Sequence, residues 1–160
     1  MLYAGLMMTS DGPKVLEYNA RFGDPETQAV LPRLRSDLLD VLDRSVRFGG
    51  LEGAEFDWAP DWAVTLVLAS RGYPATSSKG DVIAGIESAG ALDVEVLHAG
   101  TAELDGDLVT AGGRVLNVTG IGPTPAAARE RAYAAADKID FDGKQLRRDI
   151  ALRAVEKVEA

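Results

Sequence analysis

Residues 16–28 read Leu16-Glu17-Tyr18-Asn19-Ala20-Arg21-Phe22-Gly23-Asp24-Pro25-Glu26-Thr27-Gln28. The first half is an extended segment, in which side chains two apart share a face. Glu17, Asn19 and Arg21 therefore fall on one side, roughly 7 Å from one to the next at ~3.3 Å per residue. Oxygen donors from Glu17 and Asn19 suit a hard cation such as Mg²⁺, which takes one or two protein groups and fills its other positions with water and phosphate. Arg21 adds a planar, permanently charged fork for phosphate or carboxylate. The pattern changes at Gly23. Asp24 predicts an N-cap and Pro25 the first helical position. A helix start just beyond the arginine is itself favourable for an anion. The helix is expected to run to about Leu31 and to be disturbed by Pro32.

Upstream, residues 2–8 and 14–20 form two apolar strand-like runs joined by Thr9-Ser10-Asp11-Gly12-Pro13, which predicts a hairpin. The stretch Met1-Leu2-Tyr3-Ala4-Gly5-Leu6-Met7-Met8 reads as a buried strand from the first residue, an opening expected of a piece of something longer. Downstream, a second helix is predicted from Ser36, with Leu38, Leu39, Leu42 and Val46 on one stripe and a stop at Gly49-Gly50. Residues 51–61 carry Glu52, Glu55, Asp57 and Asp61 around Trp58 and read as a solvated connector. Beyond it, Trp62 to Ser70 predicts a buried strand. Further strands are expected at 94–98, 101–105, 108–111 and 114–120, with hairpin signals at Asp105-Gly106-Asp107 and Gly112-Gly113. Thr124-Pro125 predicts the start of an alanine-rich helix to about Lys138, whose small face (Ala128, Ala132, Ala135, Ala136) suits close packing on a sheet. After Arg147, Arg148 and Asp149, a last helical turn or two is expected. These elements describe an α+β chain with antiparallel strands rather than alternating βαβ units.

Composition narrows the function. The chain has 160 residues, 46% of them apolar and 26% charged, enough for one ordinary core. A net charge of −8 argues against general nucleic-acid binding. With no cysteine, disulfides, zinc thiolates and cysteine nucleophiles are excluded, and a single histidine, His98, excludes a multi-histidine metal site. The run Ala63 to Ala69 is too short to span a bilayer, and the N-terminus lacks a secretory pattern, so a cytoplasmic protein is expected.

Three further stretches are candidates: Ser70-Arg71-Gly72-Tyr73-Pro74 with Lys79-Gly80, His98-Ala99-Gly100-Thr101, and Gly112-Gly113-Arg114. Each also has a plain structural reading as a turn, a hydrogen-bonded strand end or a hairpin. The same holds for Glu17-x-Asn19-x-Arg21 as a polar strand face, with Glu26 as a first-turn acid.

Taken together, these stretches resemble the phosphoribosylamine–glycine ligase (glycinamide ribonucleotide synthetase) family of the ATP-grasp superfamily. Arg21-Phe22-Gly23-Asp24-Pro25-Glu26-Thr27-Gln28 matches its most specific motif, with Glu17-Tyr18-Asn19 just before it. Ala69-Ser70-Arg71-Gly72-Tyr73-Pro74, His98-Ala99-Gly100-Thr101 and Thr110-Ala111-Gly112-Gly113-Arg114-Val115-Leu116 match later motifs in the same order. The likeness covers essentially the whole chain and the C-terminal portion of the family. Ser77 departs from it, standing where the family commonly has an aromatic residue.

The resemblance implies the C-terminal end of an ATP-grasp domain (1–50), a connector (51–61) and a small antiparallel sheet or rudimentary barrel domain with helices (62–160). It implies an ATP-dependent joining of glycine to 5-phosphoribosylamine through glycyl phosphate. Glu17 and Asn19 would hold Mg²⁺ (or Mn²⁺) on the ATP phosphates, and Arg21 and Asp24 would be catalytic. Gly72, Tyr73, Pro74, Lys79, His98, Gly113 and Arg114 would bind substrate. An N-terminal portion, the nucleotide lid and an upstream acidic metal ligand are expected to lie outside these residues, leaving them inactive alone. The alternatives are another ATP-grasp ligase or carboxylase, or a non-catalytic interaction module that self-associates through the exposed N-terminal strand.

Overall fold

A computed structural model describes residues 2–159. Strands β1 (Tyr3–Thr9) and β2 (Gly12–Asn19) form the expected hairpin, from Tyr3 opposite Asn19 to Thr9 opposite Gly12. The register shifts between Gly5 and Leu6, so Leu16 is an extra residue on β2. The expected burial of β1 is not met. Leu6, Met7 and Met8, with Val15, Leu16 and Tyr18 opposite, are exposed, because among the described residues nothing covers this two-stranded ribbon. The part of that expectation that falls on Met1 lies outside the described residues.

Helix α1 (Glu26–Val30) is a single turn followed by a 3₁₀ turn, Leu31–Arg33, that accommodates Pro32. Its N-cap is Pro25, with no side-chain cap. Asp24 is therefore not the cap, because its carboxylate is taken by Gln28 and Arg114. Helix α2 (Leu38–Ser45) begins later than Ser36. Asp37 caps it, accepting from the Leu39 and Asp40 amides, while Ser36 Oγ accepts from the Asp57 amide. It also ends before Gly49-Gly50, where the chain folds back so that Arg44 Nε donates to the Gly50 carbonyl at 2.9 Å. Its apolar stripe is formed but unburied: Leu39 and Val46 are 75% and 83% exposed. Residues 51–61 contain no helix or strand, and they return to 33–36 through Arg35–Asp57 and Ala59–Arg33 backbone bonds.

The core sits beyond residue 61. Strands β3 (Trp62–Ala69), β4 (Glu95–His98) and β7 (Arg114–Gly122) make an antiparallel sheet in the order β3-β7-β4. Strands β5 (Thr101–Leu104) and β6 (Asp107–Thr110) form a separate hairpin closed by Asp105-Gly106, both with positive φ, as a tight two-residue turn requires. The described strands thus form three small antiparallel sheets and do not close into a barrel. Gly112-Gly113 is not a hairpin turn. It carries the chain from β6 in one sheet to β7 in another, with Ala111 N–H bonded to Gly100 O and Ser70 N–H to Gly113 O.

Helix α4 (Pro125–Ala136) starts as expected, with the Thr124 hydroxyl accepting from the Ala127 amide. It lies on one face of the sheet. Ala128, Ala132, Ala135 and Ala136 are fully buried against Leu66, Leu68, Leu116 and Val118. A Cβ on Gly120 would stand 2.5 Å from Ala128 O and 2.6 Å from Ala132 N, so glycine is what permits this approach. The short α3 (Ile86–Gly90) and the C-terminal α5 (Leu152–Glu159) complete the chain. Tyr133 pins the segment before α5 to α4 by donating to Arg147 O at 2.8 Å. Helix α1 occupies the opposite face of the sheet, where Thr119 Oγ1 donates to Gln28 O at 3.1 Å. That donation uses the only Thr119 hydroxyl proton, so the Thr65 hydroxyl is the donor in the 2.7 Å Thr65–Thr119 bond.

Candidate active site

Contact between α1 and the sheet brings the end of β2 against the start of β7. An open cleft of about 640 Å³ forms there, lined by Tyr3, Glu17, Arg21, Phe22, Asp24, Pro25, Glu26 and Arg114. The bulge at Leu16 falls before Glu17, so from Glu17 to Asn19 the strand is regular and both side chains project to one face. Tyr3 pairs with Asn19 on β1 and projects to the same side. Its hydroxyl donates to Glu26 Oε1 at 2.8 Å, tying hairpin to helix. That bond raises the Tyr3 phenol above its ordinary value, aided by burial and by the charges of Glu26 and Glu17, with Arg21 opposing. Glu17 is exposed in the cleft, whereas Asn19 is half-buried and its Nδ2 is shielded with no hydrogen-bond partner. Arg21 reaches along the rim and donates to Phe22 O at 2.8 Å.

Asp24 and Arg114 form the wall. Arg114 Nη1 donates to Asp24 O at 2.6 Å and stands 3.2 Å from Asp24 Oδ2, while Gln28 Nε2 donates to Asp24 Oδ1 at 3.0 Å. Arg114 Nε donates to the Tyr73 hydroxyl at 2.8 Å. This bond holds the guanidinium above its already basic ordinary value; burial opposes it, and the charges of Tyr73 and Asp24 reinforce it. The Tyr73 ring lies on Gly113, where an added Cβ would come within 2.5 Å of Tyr73 Cδ2.

Of the residues singled out from sequence, Glu17, Arg21, Asp24 and Arg114 line one cleft, with Asn19 on the adjoining strand face and Tyr73 and Gly113 immediately behind. Pro74 faces a separate, more apolar groove with Thr65, Val67 and Leu146. Gly72 makes the turn before it, with φ +86°. Lys79 is exposed in the following loop and does not line the cleft. His98 opens onto another depression, beside Ile83, Ile86 and Glu87, with Nδ1 3.1 Å from Thr101 Oγ1. Sequence reasoning missed Tyr3 and the link through Gln28. The four-residue spacing of Asp24 and Gln28 is a signal that could have found the second.

The donor set fits a cation shared with phosphate rather than a protein cage. Two oxygen-bearing side chains stand on one strand face, and the described residues hold no group of three or more His, Cys, Asp or Glu side chains able to bind a metal.

Three carboxylates (Glu17, Asp24 and Glu26) and two guanidiniums (Arg21 and Arg114) thus meet at one open cleft, with Asn19 on the strand beside it, and comparison with known proteins shows the family to which this arrangement belongs. The family described as "Phosphoribosylglycinamide synthetase, C domain" matches residues 63–153, and "Phosphoribosylglycinamide synthetase, ATP-grasp (A) domain" matches residues 1–27. The chain belongs to the phosphoribosylglycinamide synthetase family. It is 50% identical over 160 residues to a protein of Mesorhizobium japonicum named phosphoribosylamine–glycine ligase, covering all of this chain and 37% of that protein. A Ralstonia nicotianae protein of the same name is 50% identical over 157 residues, covering 98% of this chain and 37% of its own length. The crystal structure of phosphoribosylamine–glycine ligase from Thermotoga maritima superposes with a TM-score of 0.73 at 40% identity, over 92% of this chain and 36% of that one. The chain thus spans little more than a third of the length of these relatives. No helix among the described residues is long and apolar enough to cross a membrane.

Proposed function

We propose that this chain is the C-terminal part of an ATP-dependent ligase that joins glycine to 5-phosphoribosylamine through glycyl phosphate, a step of purine biosynthesis. The observation that carries the reading is the convergence of Glu17, Arg21, Asp24 and Arg114 on one cleft in a chain of this family. Residues 1–50 serve as the end of the ATP-grasp domain, 51–61 as connector and 62–160 as the C-terminal domain. A cytoplasmic location suits this role.

In the family reaction the glycine carboxylate takes the γ-phosphoryl group of ATP, releasing ADP. The ribosyl amine then attacks the acyl carbon and expels phosphate. Such chemistry depends on positioning and charge rather than on a protein nucleophile. Glu17 and the Asn19 side-chain oxygen would hold Mg²⁺ or Mn²⁺, which neutralises phosphate charge. Arg21, on the rim, grips an anionic oxygen of the phosphoryl group or the glycine carboxylate. Asp24, fixed at both oxygens, keeps Arg114 over the cleft. Gly72, Tyr73, Pro74 and Gly113 shape the adjoining wall on the sugar-phosphate side, whereas Lys79 and His98 lie away from the cleft and take no part in this reading. The exposed apolar face of β1 and β2 packs against the remainder of the ATP-grasp domain, which supplies the rest of the nucleotide site.

The test adds the upstream portion of the Mesorhizobium japonicum relative to this chain and follows ADP formation with glycine and 5-phosphoribosylamine. Glycine-dependent turnover from the pair and none from either part supports the reading. Turnover by the short chain alone, or a pair that is inactive although it associates, contradicts it.

A further inference from the structure

We propose that Tyr73 and Gln28 are positioning residues that hold the Asp24–Arg114 pair so that Arg114 Nη2 is presented to an anionic oxygen, phosphoryl or carboxylate, in the cleft. The proposal rests on the reading of the cleft as a phosphate-handling site and assigns roles to two side chains that do not line it.

A guanidinium has five N–H donors. On Arg114, Nε–H goes to Tyr73 Oη and Nη1 donates to Asp24 O, with Asp24 Oδ2 3.2 Å from Nη1 as its ion-pair partner. The two Nη2 protons have no partner among the described residues, on a side chain that lines the cleft. Anchoring Nε and Nη1 fixes the guanidinium plane, so Nη2 is aimed without further ordering when an anion arrives.

The two ends of this chain of bonds are anchored by the fold. The Tyr73 ring lies in the apolar groove with Thr65, Val67 and Pro74 and is pressed onto Gly113; its hydroxyl takes the Arg114 Nε proton while its ring centre stands 6.0 Å from the guanidinium carbon, a contact that Tyr73→Phe keeps. Gln28 is held through its carbonyl by Thr119, itself bonded to Thr65, and its amide holds Asp24 Oδ1. Asp24 is thereby gripped at one oxygen by the helix and at the other by the arginine. Neither Tyr73 nor Gln28 supplies charge to the cleft. Their influence on an anion must pass through Arg114.

That route sets the test. Binding of inorganic tripolyphosphate with Mg²⁺ to the 160-residue chain is measured by calorimetry for the unaltered protein, Tyr73→Phe, Gln28→Met, Arg114→Met and the double variant Tyr73→Phe/Arg114→Met, with melting temperatures alongside. Loss of a hydrogen bond to a charged group predicts about tenfold weaker binding for Tyr73→Phe, and a smaller loss for Gln28→Met. The Tyr73→Phe melting temperature should stay nearly unchanged. In the Arg114→Met background, Tyr73→Phe should weaken binding no further. Unaltered affinity in Tyr73→Phe, or an undiminished loss in the double variant, overturns the proposal. If the unaltered chain binds no tripolyphosphate, the anion-binding reading of the cleft fails. Exchange of the Arg114 Nε proton, followed by ¹⁵N NMR, then decides whether Tyr73 positions the guanidinium. Faster exchange in Tyr73→Phe supports positioning, and unchanged exchange overturns it.

Discussion

Arg114 donates to the backbone carbonyl of Asp24 at 2.6 Å, although 90 residues separate them. The same guanidinium pairs with the Asp24 carboxylate at 3.2 Å. The contact fastens the strand-to-helix turn after β2 onto the start of β7. Its side chains are 37% and 46% exposed, and a pair so open to solvent is worth at most about 1 kcal/mol. Arg114→Met should therefore lower stability in urea by no more than that. A loss several times larger would mean that the arginine is a structural strut rather than a cleft group.

The Tyr3–Glu26 bond predicts a titration. A phenol raised in the folded state contributes stability that is complete below its ordinary value and disappears as pH climbs through the folded value. The difference in ultraviolet titration between the unaltered chain and Tyr3→Phe should show Tyr3 ionising above the ordinary phenol value. Glu26→Gln should bring it down, since it removes the charge and the carboxylate acceptor together. No change in Glu26→Gln would place Tyr3 away from Glu26 in solution.

Close packing of α4 on β7 predicts severe intolerance at Gly120. A side chain there meets the backbone of Ala128 and Ala132, not a flexible side chain, so Gly120→Val should cost at least the 1–3 kcal/mol typical of overpacking. Leu66→Ala, at a fully buried position on the same face, should cost about 2–5 kcal/mol. Chemical denaturation reads both, and a neutral Gly120→Val would contradict the packing described.

How far the sequence reveals this structure depends on how local the causes are. The Thr124-Pro125 helix start, the Asp105-Gly106 turn and the apolar strand 62–69 are legible because cap, turn and alternation are settled within a few residues. Asp24 has every local mark of an N-cap, yet Gln28 and a distant arginine claim its carboxylate. Gly112-Gly113 looks like a hairpin because the partners that separate β6 from β7 lie elsewhere in the chain. The stripe on α2 is readable, but whether anything covers it is a tertiary matter. In the site, the spacing of Glu17 and Asn19 exposes the strand face directly, whereas Arg21 lies past the end of β2 and reaches the cleft from the bend that follows. Tyr3 enters only through the register of β1 on β2, and the link from Arg114 to Asp24 only through the docking of α1 on the sheet.

The Arg147–Asp149 pair gives an acid-side signature. The bond from Arg147 holds the Asp149 carboxyl below its ordinary value, so its contribution is present above that value and is lost as pH falls through the folded one. Asp149→Asn should lower the melting temperature slightly at neutral pH, and the difference from the unaltered chain should shrink as pH falls through the folded value. A difference that persists unchanged into strong acid, or that appears only there, would contradict the pairing.

The placement of a divalent cation by β2 is tested most directly with Mn²⁺ as a paramagnetic probe, added with tripolyphosphate to the ¹⁵N-labelled chain. The account predicts that line broadening centres on Glu17 and Asn19, spreads to Arg21, and disappears in Glu17→Gln/Asn19→Leu while the fold persists. Broadening centred elsewhere, or unchanged in that double variant, would contradict it.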